Sequence, residues 1–159
     1  MESVLKVLKE LGIPYQAFEH PAVFTVAESE KYDLDIPGGK TKNLFLRNKQ
    51  ADQYYLVIME GKKRADLKKL AELLGEKRLS FGSSEKLDEI LGLTPGSVSP
   101  FGLINDLEKR VIVVVDEDLL EHELVGFHPN INTQTLVISK MDFKKYLEWC
   151  GHKVWIERL

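Results

Sequence analysis

Cysteine is almost absent from this sequence, which has one such residue, Cys150, among 159. A single thiol can form neither an intramolecular disulfide nor a zinc site built from several cysteines, so disulfide-stabilised secreted scaffolds and zinc ribbons are excluded. Long apolar runs are also lacking, because the longest aliphatic stretch is residues 111–115, far short of the roughly 20 residues of a membrane-spanning helix. The first residues do not have the pattern of a signal peptide, and we expect a cytoplasmic protein.

A strong excess of one charge is missing as well. The 22 basic and 25 acidic residues give a net charge of -3, which argues against a protein that grips nucleic acid over its whole surface. The basic residues are unevenly spread, however, since segment 40–69 holds nine of them and three acidic residues. One face could therefore meet a polyanion, although lysines are also common at solvated helix and loop positions.

Familiar catalytic signatures are absent too. The four histidines stand outside metal-binding patterns such as H-E-x-x-H, so we expect no metal site and no cofactor. Residues 37–41 superficially resemble a phosphate-binding loop, but they lack the first glycine of G-x-x-x-x-G-K-[ST]. Cys150 falls on the apolar stripe of a predicted C-terminal helix, where we expect a buried and inert thiol.

Hydrophobic periodicity predicts helices and strands that interleave without a regular order. The predicted helices are 4–11, 27–32, 65–74, 85–91 and 141–150, and the predicted strands are 15–20, 43–47, 53–59, 79–81, 111–115, 133–138 and 154–156. The polar residues 48–52 indicate a hairpin, so the second and third strands should be antiparallel neighbours. Because the strand–helix–strand period of a doubly wound parallel sheet is missing, we expect one α+β domain over residues 1–159 with a mixed, largely antiparallel sheet.

Three segments carry residue types of interest for chemistry. Lys42 follows two glycines and precedes an apolar strand, so its ammonium could emerge at the edge of the sheet, although such lysines also protect strand edges from aggregation. Residues 96–100, Gly-Ser-Val-Ser-Pro, form a G-x-x-x-P loop whose glycine would let backbone N–H groups approach a ligand. Residues 126–133, Gly-Phe-His-Pro-Asn-Ile-Asn-Thr, form a turn rich in hydrogen-bonding side chains, which is equally typical of an Asx-rich connection.

Taken together, T-K-N-L-F-L at 41–46, G-S-V-S-P at 96–100 and G-F-H-P at 126–129 with Asn132 and Thr133 resemble the editing domain associated with bacterial prolyl-tRNA synthetase. This YbaK/ProX-type family includes an insertion domain of the synthetase and free-standing proteins that hydrolyse mischarged prolyl-tRNA in trans. The resemblance covers nearly the whole chain. It implies the same fold class, a mixed sheet or partial barrel with flanking helices, in a free-standing form. The K-N-L-F-L and G-F-H-P segments look most like the branch that deacylates alanyl-tRNA(Pro).

The resemblance also implies roles for individual residues. The implied catalytic residues are Lys42 and the loop residues Gly96, Ser97, Val98 and Ser99, whose amides would stabilise the oxyanion of ester hydrolysis. The implied substrate-binding residues are Phe45, Pro100, His128 and Asn132, and the implied tRNA-binding residues are Lys40, Lys62, Lys63 and Arg64. In the family the 2′-hydroxyl of the substrate places the attacking water, which accounts for the lack of an obvious general base in this sequence.

We therefore expect an aminoacyl-tRNA deacylase that protects translational fidelity by trans-editing of alanyl-tRNA(Pro). Its partners would be the acceptor end of mischarged tRNA(Pro) and, as a further candidate, prolyl-tRNA synthetase, with no membrane. Two alternatives stay open, a cysteinyl-tRNA(Pro) deacylase and a non-catalytic tRNA-binding module on the same fold. Apolar candidates for a pocket wall that would exclude proline are Phe45, Val98 and Phe127.

Overall fold

The computed structural model describes residues 2–21, 36–131 and 133–159. Its α-helices are α1 (Glu2–Glu10), α2 (Leu67–Leu74), α3 (Ser84–Leu91) and α4 (Lys140–Cys150). Its strands are β1 (Gln16–Glu19), β2 (Thr41–Asn48), β3 (Tyr54–Glu60), β4 (Leu79–Phe81), β5 (Val111–Asp116), β6 (Leu124–Phe127), β7 (Gln134–Ser139) and β8 (Val154–Glu157). Every helix and strand predicted within the described ranges is found, whereas the helix predicted at 27–32 lies outside them.

The strands form a five-stranded sheet in the order β4-β2-β3-β5-β8 and a three-stranded sheet in the order β1-β7-β6. Neighbours are antiparallel except β3 with β5 and β5 with β8, which are parallel. The expected mixed, largely antiparallel α+β architecture is therefore confirmed. The hairpin of β2 and β3 is confirmed as well, with Phe45 opposite Leu56.

The five-stranded sheet separates two apolar cores, because successive residues of a strand point to opposite faces. The larger core contains Phe45, Leu56 and Ile58 from the sheet and packs against α1, α3 and α4. The smaller core contains Leu46 and Val57, and α2 covers it. Neighbouring side chains of β2 therefore belong to different environments, and this alternation places the candidate functional residues described below.

Local signals explain where the structure departs from the predicted boundaries. Helix α2 begins at Leu67 rather than at residue 65 because the Asp66 carboxylate accepts from the N–H of Lys69 and caps the helix. Helix α3 begins at Ser84 rather than at residue 85 because the Ser83 hydroxyl accepts from the N–H of Lys86 and caps the helix. Strand β6 is not among the predicted strands, because its last two residues, Gly126 and Phe127, belong to segment 126–133, which was interpreted as a turn.

The G-x-x-x-P loop at 96–100 continues into a 3-10 helix over Pro100–Asn105, and an aromatic cluster fixes this helix. The ring of Phe101 meets Phe127 edge-on at 6.0 Å and Tyr146 at 5.3 Å between centroids. The Tyr146 hydroxyl donates to the Pro100 carbonyl at 2.8 Å. Phe101 is 0% exposed, so the exit of the G-x-x-x-P loop is anchored directly in the larger core.

Phe101→Ala should lower the free energy of unfolding by about 3–5 kcal/mol, the usual range for deleting a buried phenylalanine side chain. Urea titration followed by circular dichroism measures this loss. Leu107→Ala is the matched control, because Leu107 is 82% exposed and its removal should change the free energy by no more than about 0.5 kcal/mol. Equal, small effects of the two substitutions would show that the cluster does not stabilise the loop.

Candidate functional site

The start of β2 lies against β6, the strand that leads to His128. The N–H of Gly39 donates to the Leu124 carbonyl at 2.8 Å, and the Thr41 hydroxyl donates to the Gly126 carbonyl at 2.8 Å. Phe127, the last residue of β6, in turn contacts Phe101. The T-K-N-L-F-L and G-F-H-P motifs thus meet at the end of β6. The G-x-x-x-P loop is joined to the same place through the contact of Phe101 with Phe127.

Gly38 makes this close approach of the two segments feasible. Its φ of +93° lies in a region that L side chains rarely adopt. A Cβ atom at this position would lie 2.6 Å from the Leu124 carbonyl oxygen, well inside contact distance. The glycine pair ahead of Lys42, which could be mistaken for a phosphate-binding loop, therefore serves to bring β2 against β6.

The G-x-x-x-P loop turns sharply and is largely buried. Gly96 has a φ of +90°, and Ser97 and Ser99 are 5% and 0% exposed. The N–H of Ser97 donates to the Thr94 carbonyl at 3.0 Å, while the Ser99 hydroxyl accepts from the N–H of Phe101 at 3.1 Å. The serine side chains of this loop therefore shape its backbone.

Three amides of the loop are without an acceptor. In the described part of the chain, the N–H groups of Gly96, Val98 and Ser99 have no protein acceptor, whereas that of Ser97 is already used. N–H groups that lack a partner in the protein are suited to a ligand oxygen that carries negative charge. Val98 and Ser99 are adjacent in the chain, so their N–H groups form the candidate pair.

His128 is oriented by the backbone and faces a second histidine that was not predicted to take part. Its Nδ1 lies 3.0 Å from the Gln134 carbonyl, which can only accept, so Nδ1 carries the proton and Nε2 is the acceptor atom of the neutral ring. The ring of His20 lies 5.8 Å away and accepts through Nε2 from the Thr135 hydroxyl, with its Nδ1–H donating to Pro21. The pairings of β1 and of β6 with β7 bring the two histidines together, and no sequence signal reports them.

Lys42 and Asn43 point to opposite faces of β2. Lys42 shares the face of α2, and its ammonium donates to the Lys63 carbonyl at 2.7 Å. Asn43 lies on the face of Phe45, where the G-x-x-x-P loop also packs, and its Nδ2 donates weakly to the Thr41 hydroxyl oxygen at 3.3 Å. The side-chain oxygen Oδ1 of Asn43 is buried and has no hydrogen-bond partner among the described residues. It can accept a hydrogen bond from a ligand, so the structure adds Asn43 to the candidates.

The four residues predicted to bind tRNA have different surroundings. Lys62 and Arg64 are exposed on the turn that follows β3, and Lys40 is half-buried beside the start of β2. Lys63 differs from its neighbours because its ammonium is engaged by carboxylates of the protein itself. The exposed pair on this turn remains well placed for a polyanion, whereas the contacts of Lys63 indicate another role.

The predicted substrate-binding residues are only partly accessible. Phe45 is 4% exposed and stacks on Tyr54 at 5.4 Å between ring centroids, so it contributes to the core beneath the site. Pro100 is buried under the hydroxyl of Tyr146. Asn132 lies outside the described residues. Phe45 and Pro100 can therefore shape a pocket wall, and the polar contacts must come from other groups.

The described residues show no cluster suited to a metal ion, a buried thiol and no membrane-spanning helix. Among the residues that the structure describes, no three His, Cys, Asp or Glu side chains are grouped so that they could hold a metal ion. Cys150 is buried as expected, and burial raises the pKa of its thiol to about 11. No helix in the described part of the chain is both long enough and apolar enough to cross a bilayer.

Comparison with known proteins decides the family. Residues 20–146 match the model of the aminoacyl-tRNA editing domain family. The chain belongs to this family. The matched region of the editing domain includes all three motifs and both histidines of the site, so the resemblance inferred from those motifs is confirmed.

Individual relatives agree with this assignment. The prolyl-tRNA editing protein ProX of Acetoanaerobium sticklandii is 40% identical over 151 residues, which are 95% of this chain and 92% of the relative. The prolyl-tRNA synthetase associated domain-containing protein 1 of Bos taurus is 35% identical over 149 residues, 91% and 86% of the two chains. A crystal structure of a candidate trans-editing enzyme for prolyl-tRNA synthetase has a TM-score of 0.71 at 22% identity, covers 100% of this editing domain and 98% of that chain, and shows the same fold.

Gly96→Ala should slow ester hydrolysis by about 10²-fold while weakening tRNA binding much less. A side chain at this positive φ strains the turn and moves the Val98 and Ser99 amides, and the loss of one such donor typically costs 10²–10³ in rate. Single-turnover kinetics and tRNA binding on the same variant measure the two effects. Gly12→Ala is the control, since Gly12 also has a positive φ, with open space around it at the end of α1. A loss confined to binding would show that the loop only positions RNA.

Proposed function

We propose that this editing domain is a trans-editing aminoacyl-tRNA deacylase that removes alanine from mischarged tRNA(Pro) in the cytoplasm. The observation that carries the proposal is the pair of adjacent loop amides at Val98 and Ser99, which have no protein acceptor in the described part of the chain. Family membership and the 40% identity to a prolyl-tRNA editing protein support the same activity. Prolyl-tRNA synthetase is the proposed protein partner.

The reaction is hydrolysis of the ester between the amino acid and the terminal ribose. Water adds to the carbonyl carbon, the carbonyl oxygen becomes an oxyanion, and the bond to the ribose oxygen then breaks to release the amino acid and free tRNA. Donors aimed at the oxyanion lower the barrier because they meet charge that develops only in the transition state. The Val98 and Ser99 amides are the proposed donors, and a ribose hydroxyl of the substrate positions the water.

The other half of the substrate is a polyanion, and the basic residues near the start of β2 are suited to it. Lys42 has one acceptor among the described residues, the Lys63 carbonyl, so two of its N–H groups can serve the phosphate or ester end of the terminal adenosine. Lys62 and Arg64 are exposed on the adjoining turn and would contact the acceptor stem. We assign the stem to the α2 side of the sheet on this basis.

Discrimination between alanine and proline requires exclusion of the larger side chain. An apolar pocket gains only about 1–3 kcal/mol from an extra methylene group, so attraction alone cannot select alanine. Val98 packs against the larger core. Phe127 is 2% exposed and belongs to the aromatic cluster of the same core. A wall that is held this closely cannot move aside for a proline ring without a steric penalty.

A deacylation assay with purified protein on alanyl-, cysteinyl- and prolyl-tRNA(Pro) tests this proposal. We expect alanyl-tRNA(Pro) to be hydrolysed fastest and prolyl-tRNA(Pro) at least about 10²-fold more slowly, a ratio within reach of steric exclusion. Comparable rates on the alanyl and prolyl substrates would refute editing, because correctly charged tRNA would be destroyed. Faster hydrolysis of cysteinyl-tRNA(Pro) would establish the cysteinyl alternative, and binding without hydrolysis would establish the non-catalytic one.

Lys42→Ala should lower the rate of alanyl-tRNA(Pro) deacylation by at least about tenfold with the fold intact, since a charge-assisted contact to the substrate is lost. Lys49→Ala is the matched control, because Lys49 is exposed in the hairpin turn at the other end of β2. Circular dichroism verifies the fold of both variants. Turnover of Lys42→Ala equal to that of Lys49→Ala would remove Lys42 from the site.

A further inference from the structure

The ammonium of Lys63 is fully occupied within the protein. It donates to the Asp118 carboxylate at 2.7 Å, to the main-chain oxygen of Leu159 at 2.8 Å and to the Asp116 carboxylate at 3.0 Å. A lysine ammonium has three N–H donors, so these contacts use all of them. Burial lowers the pKa of Lys63, but its hydrogen bonds to the Asp118 and Asp116 carboxylates outweigh this effect and raise the pKa above its ordinary value, so the group is charged at neutral pH.

The turn that carries Lys63 is held at several points by the same carboxylate. Asp116, at the end of β5, is 0% exposed and accepts from the backbone N–H of Glu60 at 3.0 Å as well as from the Lys63 ammonium. The N–H of Lys63 donates to the Glu60 carbonyl at 3.1 Å and closes the turn. The backbone from Glu60 to Lys63 is therefore fixed relative to the end of β5.

The backbone carbonyl of Lys63 accepts a hydrogen bond from Lys42. The Lys42 ammonium donates to it at 2.7 Å, and this is the acceptor that the described residues provide for that ammonium. A continuous chain of contacts thus runs from the buried Asp116 carboxylate, through the side chain and backbone of Lys63, to the ammonium of Lys42.

We propose that Lys63 is a positioning residue that places the Lys42 ammonium at the ester end of the substrate for deacylation, and that it does not contact tRNA phosphate. The proposal rests on the deacylase function proposed above and changes the tRNA-binding role that the sequence implies for this residue. Lys62 and Arg64, on either side, keep the phosphate role because they are exposed.

The salt dependence of tRNA binding separates a positioning role from a phosphate contact. Each phosphate contact contributes about 0.7–0.9 to the slope of log affinity against log salt concentration. Lys62→Met should reduce this slope by about that amount. Lys49→Met, at an exposed residue of the hairpin turn outside the site, is the control and should change neither the slope nor the single-turnover rate at saturating alanyl-tRNA(Pro). Lys63→Met should leave the slope unchanged and lower the saturating rate by about tenfold, since a displacement of about 1 Å can slow a reaction by up to 10²-fold.

Asp118→Asn provides a second test that leaves the buried Asp116 paired, in case Lys63→Met does not fold. Asp118 is 26% exposed, so its charge can be removed without stranding a buried partner. A positioning role predicts an unchanged slope and a saturating rate lowered about threefold, because one of the three contacts of Lys63 is weakened. A steeper slope with an unchanged rate would mean that the released Lys63 binds phosphate, and would overturn the proposal.

Uncharged tRNA(Pro) is the probe for the slopes, so they do not depend on catalysis. A wild-type protein that binds tRNA without hydrolysing the ester refutes the proposed function. The slope of Lys63→Met still tests the phosphate contact in that case: a reduction by about 0.7–0.9 identifies Lys63 as a phosphate contact and overturns the proposal.

Discussion

A buried carboxylate organises the end of the sheet at which the candidate site lies. Asp116 is 0% exposed, and a carboxylate removed from water is costly unless it is paired and hydrogen-bonded. The backbone N–H groups of Glu60 and Asp118 and the ammonium of Lys63 supply the required donors. Because these donors come from the end of β3, the following turn and the segment after β5, satisfying one charge fixes the relative positions of all three.

The five-stranded sheet divides the chemistry between its two faces. Lys42 and α2 lie on one face, and Val98 of the G-x-x-x-P loop packs against the larger core on the other. An aminoacylated RNA end has the same division, with phosphates on one side and an ester on the other. At the start of β2 the two faces are one residue apart, since Lys42 and Asn43 point in opposite directions. This end of β2, held against β6 by Thr41, is where such a substrate can contact both.

Local patterns predicted most of the fold, and non-local pairings determined the rest. Periodicity located the α-helices of the described ranges and every strand except β6, because each has an apolar stripe or alternation. The three motifs were found because each is contiguous in sequence. The acceptors of the Lys63 ammonium could not be found in this way, because Asp116 is 53 residues away and reaches the turn only through the parallel pairing of β3 with β5. The contact of His20 with His128 likewise depends on the pairing of β1 with β7. Position in a basic cluster could not show that Lys63 is internally paired while Lys62 is exposed.

A double-mutant cycle between Asp116 and Lys42 tests most directly whether this carboxylate positions the site. The measurement is the single-turnover rate at saturating alanyl-tRNA(Pro) for Asp116→Asn, Lys42→Ala and the double variant, each verified as folded by circular dichroism. Residues that act through one another give non-additive effects, whereas independent residues give additive free energies. If Asp116 acts through Lys63 on Lys42, the double variant will be no slower than Lys42→Ala alone. Rate losses that multiply in the double variant would contradict the account.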